Sequence, residues 1–151
     1  EVLSDPPQSI DVDVGEQIER VVADVGSRFP DVAVETDVPS GGAATVSEHF
    51  GTAIEELVEN AILHNDAETT EVSVSVRVDD GDVRIEVCDD GSTMPDMERA
   101  LLVGEEEQTT TYHGSGLGLW LVNLIVSRSG GSVTHESNDD GGNVVRIVLP
   151  R

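Results

Sequence analysis

Apolar residues fall at helical spacing in three stretches and alternate in most of the segments between them. Val14 to Phe29 carries Ile18, Val21, Val22 and Val25, one stripe of a helix that Pro30 helps to end. A second helix is predicted after Ser47, a good N-cap. Phe50, Ile54, Leu57, Val58, Ala61 and Ile62 form its apolar face, and it ends near Asn65. Gly116 to Ser129 reads as the third, strongly amphipathic. Alternation predicts strands at Ile10 to Val14, Val32 to Thr36, Glu71 to Val78, Val83 to Asp89, Ser132 to Glu136 and Asn143 to Leu149, with a very short one at Ala44 to Val46. Pro39-Ser40-Gly41-Gly42 reads as a turn, and Asp79-Asp80-Gly81-Asp82 and Asn138 to Gly142 as hairpin turns.

Between Gly91 and Ser115 the only periodicity is a turn of helix around Met97 to Leu102. The polar run from Glu105 to Thr111 suits a lid, a binding loop or a flexible segment. Hairpins mixed with three main helices predict an α/β fold: one mixed β-sheet with the helices on one face, a two-layer sandwich. Residues 1–8 read as a linker remnant, and 9–151 as one domain large enough for a real core.

Composition narrows the function classes. A hydrophobic fraction of 37%, spread along the chain, excludes a disordered acidic tail. No apolar run is long enough for a membrane span; the domain is expected to be cytoplasmic and to make no direct membrane contact, whether the parent protein is membrane-bound or soluble. The chain opens at Glu1 in an acidic stretch, as an excised piece of a longer protein would. The net charge is −23, and all 8 basic residues are arginine. Such acidity suits either adaptation to high salt or docking of a basic partner. It disfavours nucleic acid, because no basic stripe is present to displace phosphate counterions. Cys88, the single cysteine, excludes an internal disulfide. It is expected to be a buried, inert thiol in a reducing setting.

Three segments carry candidate chemistry. Gly114-Ser115-Gly116-Leu117-Gly118-Leu119 precedes and opens a helix, where glycines allow close approach and free N–H groups favour an anion; it is otherwise a plain helix-starting turn. Glu56 and Asn60 lie four apart on one helix face, with His64 four further on. A carboxylate and an amide so placed can give oxygen ligands to a magnesium ion, or can be a solvated polar face. Asp89-Asp90-Gly91 ends a strand, where a carboxylate can accept from a ligand amine, or can be an acidic turn.

Taken in order, these segments resemble the ATP-binding domain shared by histidine kinases, type II topoisomerases such as DNA gyrase, the gyrase-related heat-shock chaperones and the mismatch-repair ATPases. The resemblance spans roughly Ile10 to Pro150 and looks most like sensor histidine kinases. The stretch from His113 to Gly131, GSGLGLWLVNLIVSRSGG at its heart, is similar to that family's second glycine box and following helix. Gly141 to Pro150 is similar to its closing strand. Together with the acidity, it looks like a kinase from a halophilic archaeon.

The resemblance implies ATP and Mg2+ as cofactors. Asn60 would ligate the magnesium, and Glu56 would support the metal or polarise a nucleophile. Asp89 would accept from the adenine amine, Gly91 and Met94 would line the base pocket, His64 could stack on the nucleotide, and Asn65 would add a polar contact. Gly114, Ser115, Gly116, Leu117, Gly118 and Leu119 would wrap the phosphates, mostly through backbone N–H groups, under a long ATP lid. Asn143 stands in place of a common threonine near the adenine. Leu63 replaces a usual lysine and Thr93 a usual glycine, which implies a less tight loop and modest affinity. The implied reaction is transfer of the γ-phosphoryl of ATP to a histidine on the protein's own upstream dimerisation and phosphoacceptor hairpin, with a response regulator as the further partner. None of His49, His64, His113 or His135 looks like the acceptor. Two alternatives stand beside it: an ATPase of the same superfamily with Glu56 as general base, and a degenerate nucleotide-binding or docking module.

Overall fold

The computed structural model describes residues 9–38, 42–63, 71–79, 81–105, 116–137 and 142–150. In chain order the elements are β1 (Ser9–Asp13), α1 (Val14–Arg28), β2 (Ala33–Asp37), β3 (Ala43–Ser47), α2 (Phe50–Leu63), β4 (Glu71–Val78), β5 (Asp82–Asp89), α3 (Asp96–Val103), α4 (Gly116–Arg128), β6 (Ser132–Ser137) and β7 (Asn143–Pro150). A five-stranded mixed sheet runs β2-β4-β5-β7-β6. Its β2 edge is parallel to β4, and every other neighbouring pair is antiparallel.

The two-layer arrangement follows from side-chain parity. Val72, Val74 and Val76 of β4, Val83, Ile85 and Val87 of β5, and Val145, Ile147 and Leu149 of β7 all point inward and are buried. They meet Ile18 and Val25 of α1, Phe50 and Ile54 of α2, and Leu119 and Ile125 of α4 in one core. The opposite face carries Ser73, Arg77, Arg84 and Thr134 and is open to solvent. Cys88 belongs to this open face, not to the core. It has the parity of Arg84 and Glu86, so it is half-exposed rather than buried. Desolvation still pushes its thiol pKa up, which keeps it protonated and poorly nucleophilic.

Two elements depart from the pattern-based expectation. First, β1 does not join the main sheet but pairs antiparallel with β3 as a separate two-stranded ribbon. Asp13 is both the last residue of β1 and the N-cap of α1, its carboxylate accepting from the Glu16 N–H at 3.1 Å. No linker is left to carry β1 to the sheet edge, and Val14 N–H is tied to the Gly42 carbonyl at 2.9 Å. Second, the turn of helix around Met97 is a full helix, α3, buried through Leu101 and Leu102 and closed by Gly104 at φ +85°. Asn123 of α4 donates to the Leu102 carbonyl at 3.0 Å and so satisfies one of the carbonyls left open at the end of α3.

Ser47 is not the cap of α2. Its hydroxyl accepts from His49 N–H at 3.2 Å, within the turn that precedes the helix, and its N–H donates to Ser129 Oγ at 2.9 Å. The His49 carbonyl receives the first helical bonds instead. Gly131, just before β6, has no room for a side chain: a Cβ there would lie 2.4 Å from the Val148 carbonyl oxygen. The predicted turns at 39–41 and 138–141 and the linker at 1–8 lie outside the described residues.

Candidate active site

The ladder between β5 and β7 pairs Val83 with Leu149, Ile85 with Ile147 and Val87 with Val145, all apolar and inward. The next inward rung is Asp89 opposite Asn143. The stripe that faces the helices therefore turns polar at one end, and a cavity of about 70 Å³ opens there. Asp89, Asn143, Asn60 and Met94 line it together with the apolar side chains of Leu57 and Val145. Ser92, Thr93 and Glu98 line it as well, so the slot is mixed, with apolar walls and several convergent polar groups, a form that suits a small-molecule site.

The polar end is closely tied. Asn143 Nδ2 donates to Asp89 Oδ1 at 3.1 Å and to the Ser92 carbonyl at 2.8 Å. Asn143 Oδ1 accepts from the Met94 N–H at 2.8 Å and also meets His135 Nε2 at 2.8 Å. Gly91 N–H donates to Asp89 Oδ1 at 3.0 Å, and the Gly91 carbonyl accepts from Gly142 N–H at 2.6 Å. These bonds fix the loop from Asp89 to Met94 against the start of β7. Thr93 fits it without strain, since among the described residues no non-glycine has positive φ. The sequence reading had singled out Asp89, Gly91, Met94 and Asn143, and the fold brings all four together. His135, set aside above only as a phosphoacceptor, joins them, and its alternation with Val133 marks it as inward-facing.

From α2, Asn60 reaches the cavity, whereas Glu56, one turn earlier, does not line it. Glu56 is half-buried against α4, where a Cβ on Gly118 would come within 2.4 Å of its Oε2. The missing side chain at Gly118 is what makes room for the carboxylate. Desolvation there raises the Glu56 pKa above its ordinary value, and Glu59 and Glu55 push it further. Leu119 puts its side chain in the core, so only its backbone N–H, in the first turn of α4, can meet a ligand. Gly116 and Leu117 are described as helical backbone only. His64, Asn65, Gly114, Ser115 and the lid segment 106–115 lie outside the described residues.

The donor set suits a nucleotide with magnesium. Asp89 offers an acceptor to a base amine inside the slot, and the start of α4 offers N–H groups to phosphate. Asn60 and Glu56 supply oxygens on consecutive turns of one helix. Among the described residues no three His, Cys, Asp or Glu side chains form a metal site by themselves. A magnesium ion here would complete its shell with phosphate and water, as magnesium commonly does.

Comparison with known proteins agrees with this geometry. Residues 45–151 match the family described as histidine kinase-, DNA gyrase B- and HSP90-like ATPases. The sensor-type histidine kinase PrrB of Mycobacterium leprae is 32% identical over 97% of this chain, which spans 33% of that protein's length. The sensor histidine kinase component HK1 of Mycobacterium tuberculosis is 30% identical over 85% of the chain, and 71% of it is covered. Among solved structures, a mycobacterial sensor histidine kinase, MprB, superposes with a TM-score of 0.75 at 27% identity, covering 95% of this chain and 97% of that one. The sequence match and the site geometry lead to one conclusion: the chain belongs to the histidine kinase-, DNA gyrase B- and HSP90-like ATPase family, and within it is a catalytic domain of the sensor histidine kinase type.

Proposed function

We propose that this domain binds Mg-ATP with the adenine in the cavity beside Asp89 and delivers the γ-phosphoryl to a histidine on a separate helical hairpin, from which a response regulator is served. The observation that carries the reading is the Asp89–Asn143 rung, held as an acceptor at the mouth of the slot with Asn60 beside it. Asp89 accepts from the adenine amine, and a guanine would present a carbonyl there and be repelled. Asn60 and Glu56 would hold magnesium, which supplies neutralisation of the phosphate charge. Catalysis in such transfer rests mainly on positioning and electrostatics. The net charge of −23 supports a high-salt working environment, so binding is best measured in concentrated KCl.

Calorimetric titration with ATP and GTP, with and without magnesium, tests this. Magnesium-dependent ATP binding that excludes GTP is expected, weakened about tenfold or more by Asn60→Ala. A folded chain that binds no ATP would overturn the reading. A second reading, steady ATP hydrolysis with Glu56 as general base, draws on the raised Glu56 pKa, since a more basic carboxylate is the better proton acceptor. It requires sustained phosphate release that Glu56→Gln abolishes, whereas the kinase reading gives almost no turnover without a histidine substrate.

A further inference from the structure

His135 lies on β6, which contributes no residue to the cavity lining, yet its ring is buried to 8% exposure and ends 2.8 Å from Asn143 Oδ1. The orientation of the Asn143 amide follows from its neighbours. Its Nδ2 faces the Asp89 carboxylate and the Ser92 carbonyl, both pure acceptors, so the nitrogen must be on that side. Its Oδ1 already takes the Met94 N–H, and its second lone pair faces His135 Nε2. A lone pair on Nε2 would oppose it, so Nε2 must carry a proton and donate. The chain of bonds then has one direction: His135 to Asn143, and Asn143 to Asp89.

We propose that His135 is a positioning residue for base recognition, a proton donor that fixes the Asn143 amide and through it the Asp89 carboxylate. This rests on the reading of the cavity as the adenine site. With the His135 donor in place, the amide cannot swing its oxygen toward Asp89 without exposing Nε2–H to the amide's own N–H groups. A rotated amide would leave the Met94 N–H without its acceptor, and an unprotonated Nε2 would set its lone pair against that of Oδ1. Asp89 is thereby held as an oriented acceptor, which is the property that separates an adenine amine from a guanine carbonyl. His135 reaches the site through Asn143 of β7.

Two measurements test the assignment. Long-range proton–nitrogen NMR of the imidazole in the unaltered chain should find the proton on Nε2; a ring protonated only on Nδ1 would overturn the proposal without reference to nucleotide. Calorimetry with Mg-ATP and Mg-GTP should find that His135→Phe, which keeps bulk and removes the donor, lowers ATP affinity about fivefold to tenfold and narrows the ATP-over-GTP preference. His135→Gln, whose amide nitrogen can donate from the same place, should stay within about threefold of the unaltered chain. Asp89→Asn run in parallel separates the two levels of argument. If Asp89→Asn leaves the base preference intact, the adenine-site reading fails; if it abolishes the preference while folded His135→Phe retains it, His135 alone is dismissed. Should His135→Phe not fold, the tautomer measurement decides.

Discussion

The two ends of the β5–β7 ladder share one backbone pattern and differ in what their inward side chains, and the β6 side chain beside them, are made of. At one end, Val83, Ile85, Ile147 and Leu149 are buried, and solvent plays no part. At the other, Asp89, Asn143 and His135 occupy the equivalent inward positions, and a cavity opens beside them. Burial alone rewards the first end. The second is tolerable only because its polar atoms satisfy one another. Stability and specificity are thus separated along a single pair of strands.

The sharpest way to break this contrast is to exchange the two kinds of damage. Ile147→Ala, at a fully buried core position, should lower unfolding free energy by about 2–5 kcal/mol, read by urea denaturation, and leave the ATP-over-GTP preference unchanged. Asn143→Leu should cost less, about 1–3 kcal/mol, because it leaves the Met94 N–H and the His135 donor unpaired, yet it should abolish the preference. If Asn143→Leu kept base discrimination, or Ile147→Ala lost it in the folded state, the separation would not hold.

The smallest effect belongs to Glu56, on the helix that faces the polar end. Its folded pKa lies above its ordinary 4.5, first through desolvation and then through Glu59 and Glu55. Between the unfolded and folded values the native chain keeps a proton that the unfolded chain has lost, so stability falls as pH rises through that window. Above it the ionised carboxylate destabilises the fold, moderately, because the group is largely solvent-screened. Glu56→Gln should therefore raise Tm by about 1 °C at neutral pH, and the gain should vanish below about pH 4.5. A pH-independent difference would place the effect elsewhere.

What could be read from the sequence follows the strength of the local signals. The strands β4, β5 and β7 and the helices α1, α2 and α4 carry long, regular periods, and their limits were found to within a residue or two wherever they are described. The eight-residue α3 was only half seen, because its apolar residues Leu101 and Leu102 are adjacent and its register is fixed by contact with α4. Cys88 was assigned to the core although strict alternation from Val83 places it outward; the error was one of parity. Asp89 and Asn143 were recognisable as site candidates, but their pairing was not, because it depends on how two hairpins fifty-four residues apart line up. His135 had no motif of its own, and its meaning comes only from its partner.

The Asp89–Asn143 rung also says something about the order in which the domain assembles. Most of the sheet is two local antiparallel pairs, β4–β5 and β6–β7, whose strands are near neighbours in the chain. The rung joins one hairpin to the other across 54 residues, a loop closure that is entropically late. A chain that has formed its hairpins but not docked them has strands, turns and half its ladders, and no binding site. A ligand held by this rung would therefore act on the docked domain and would stabilise it as a whole.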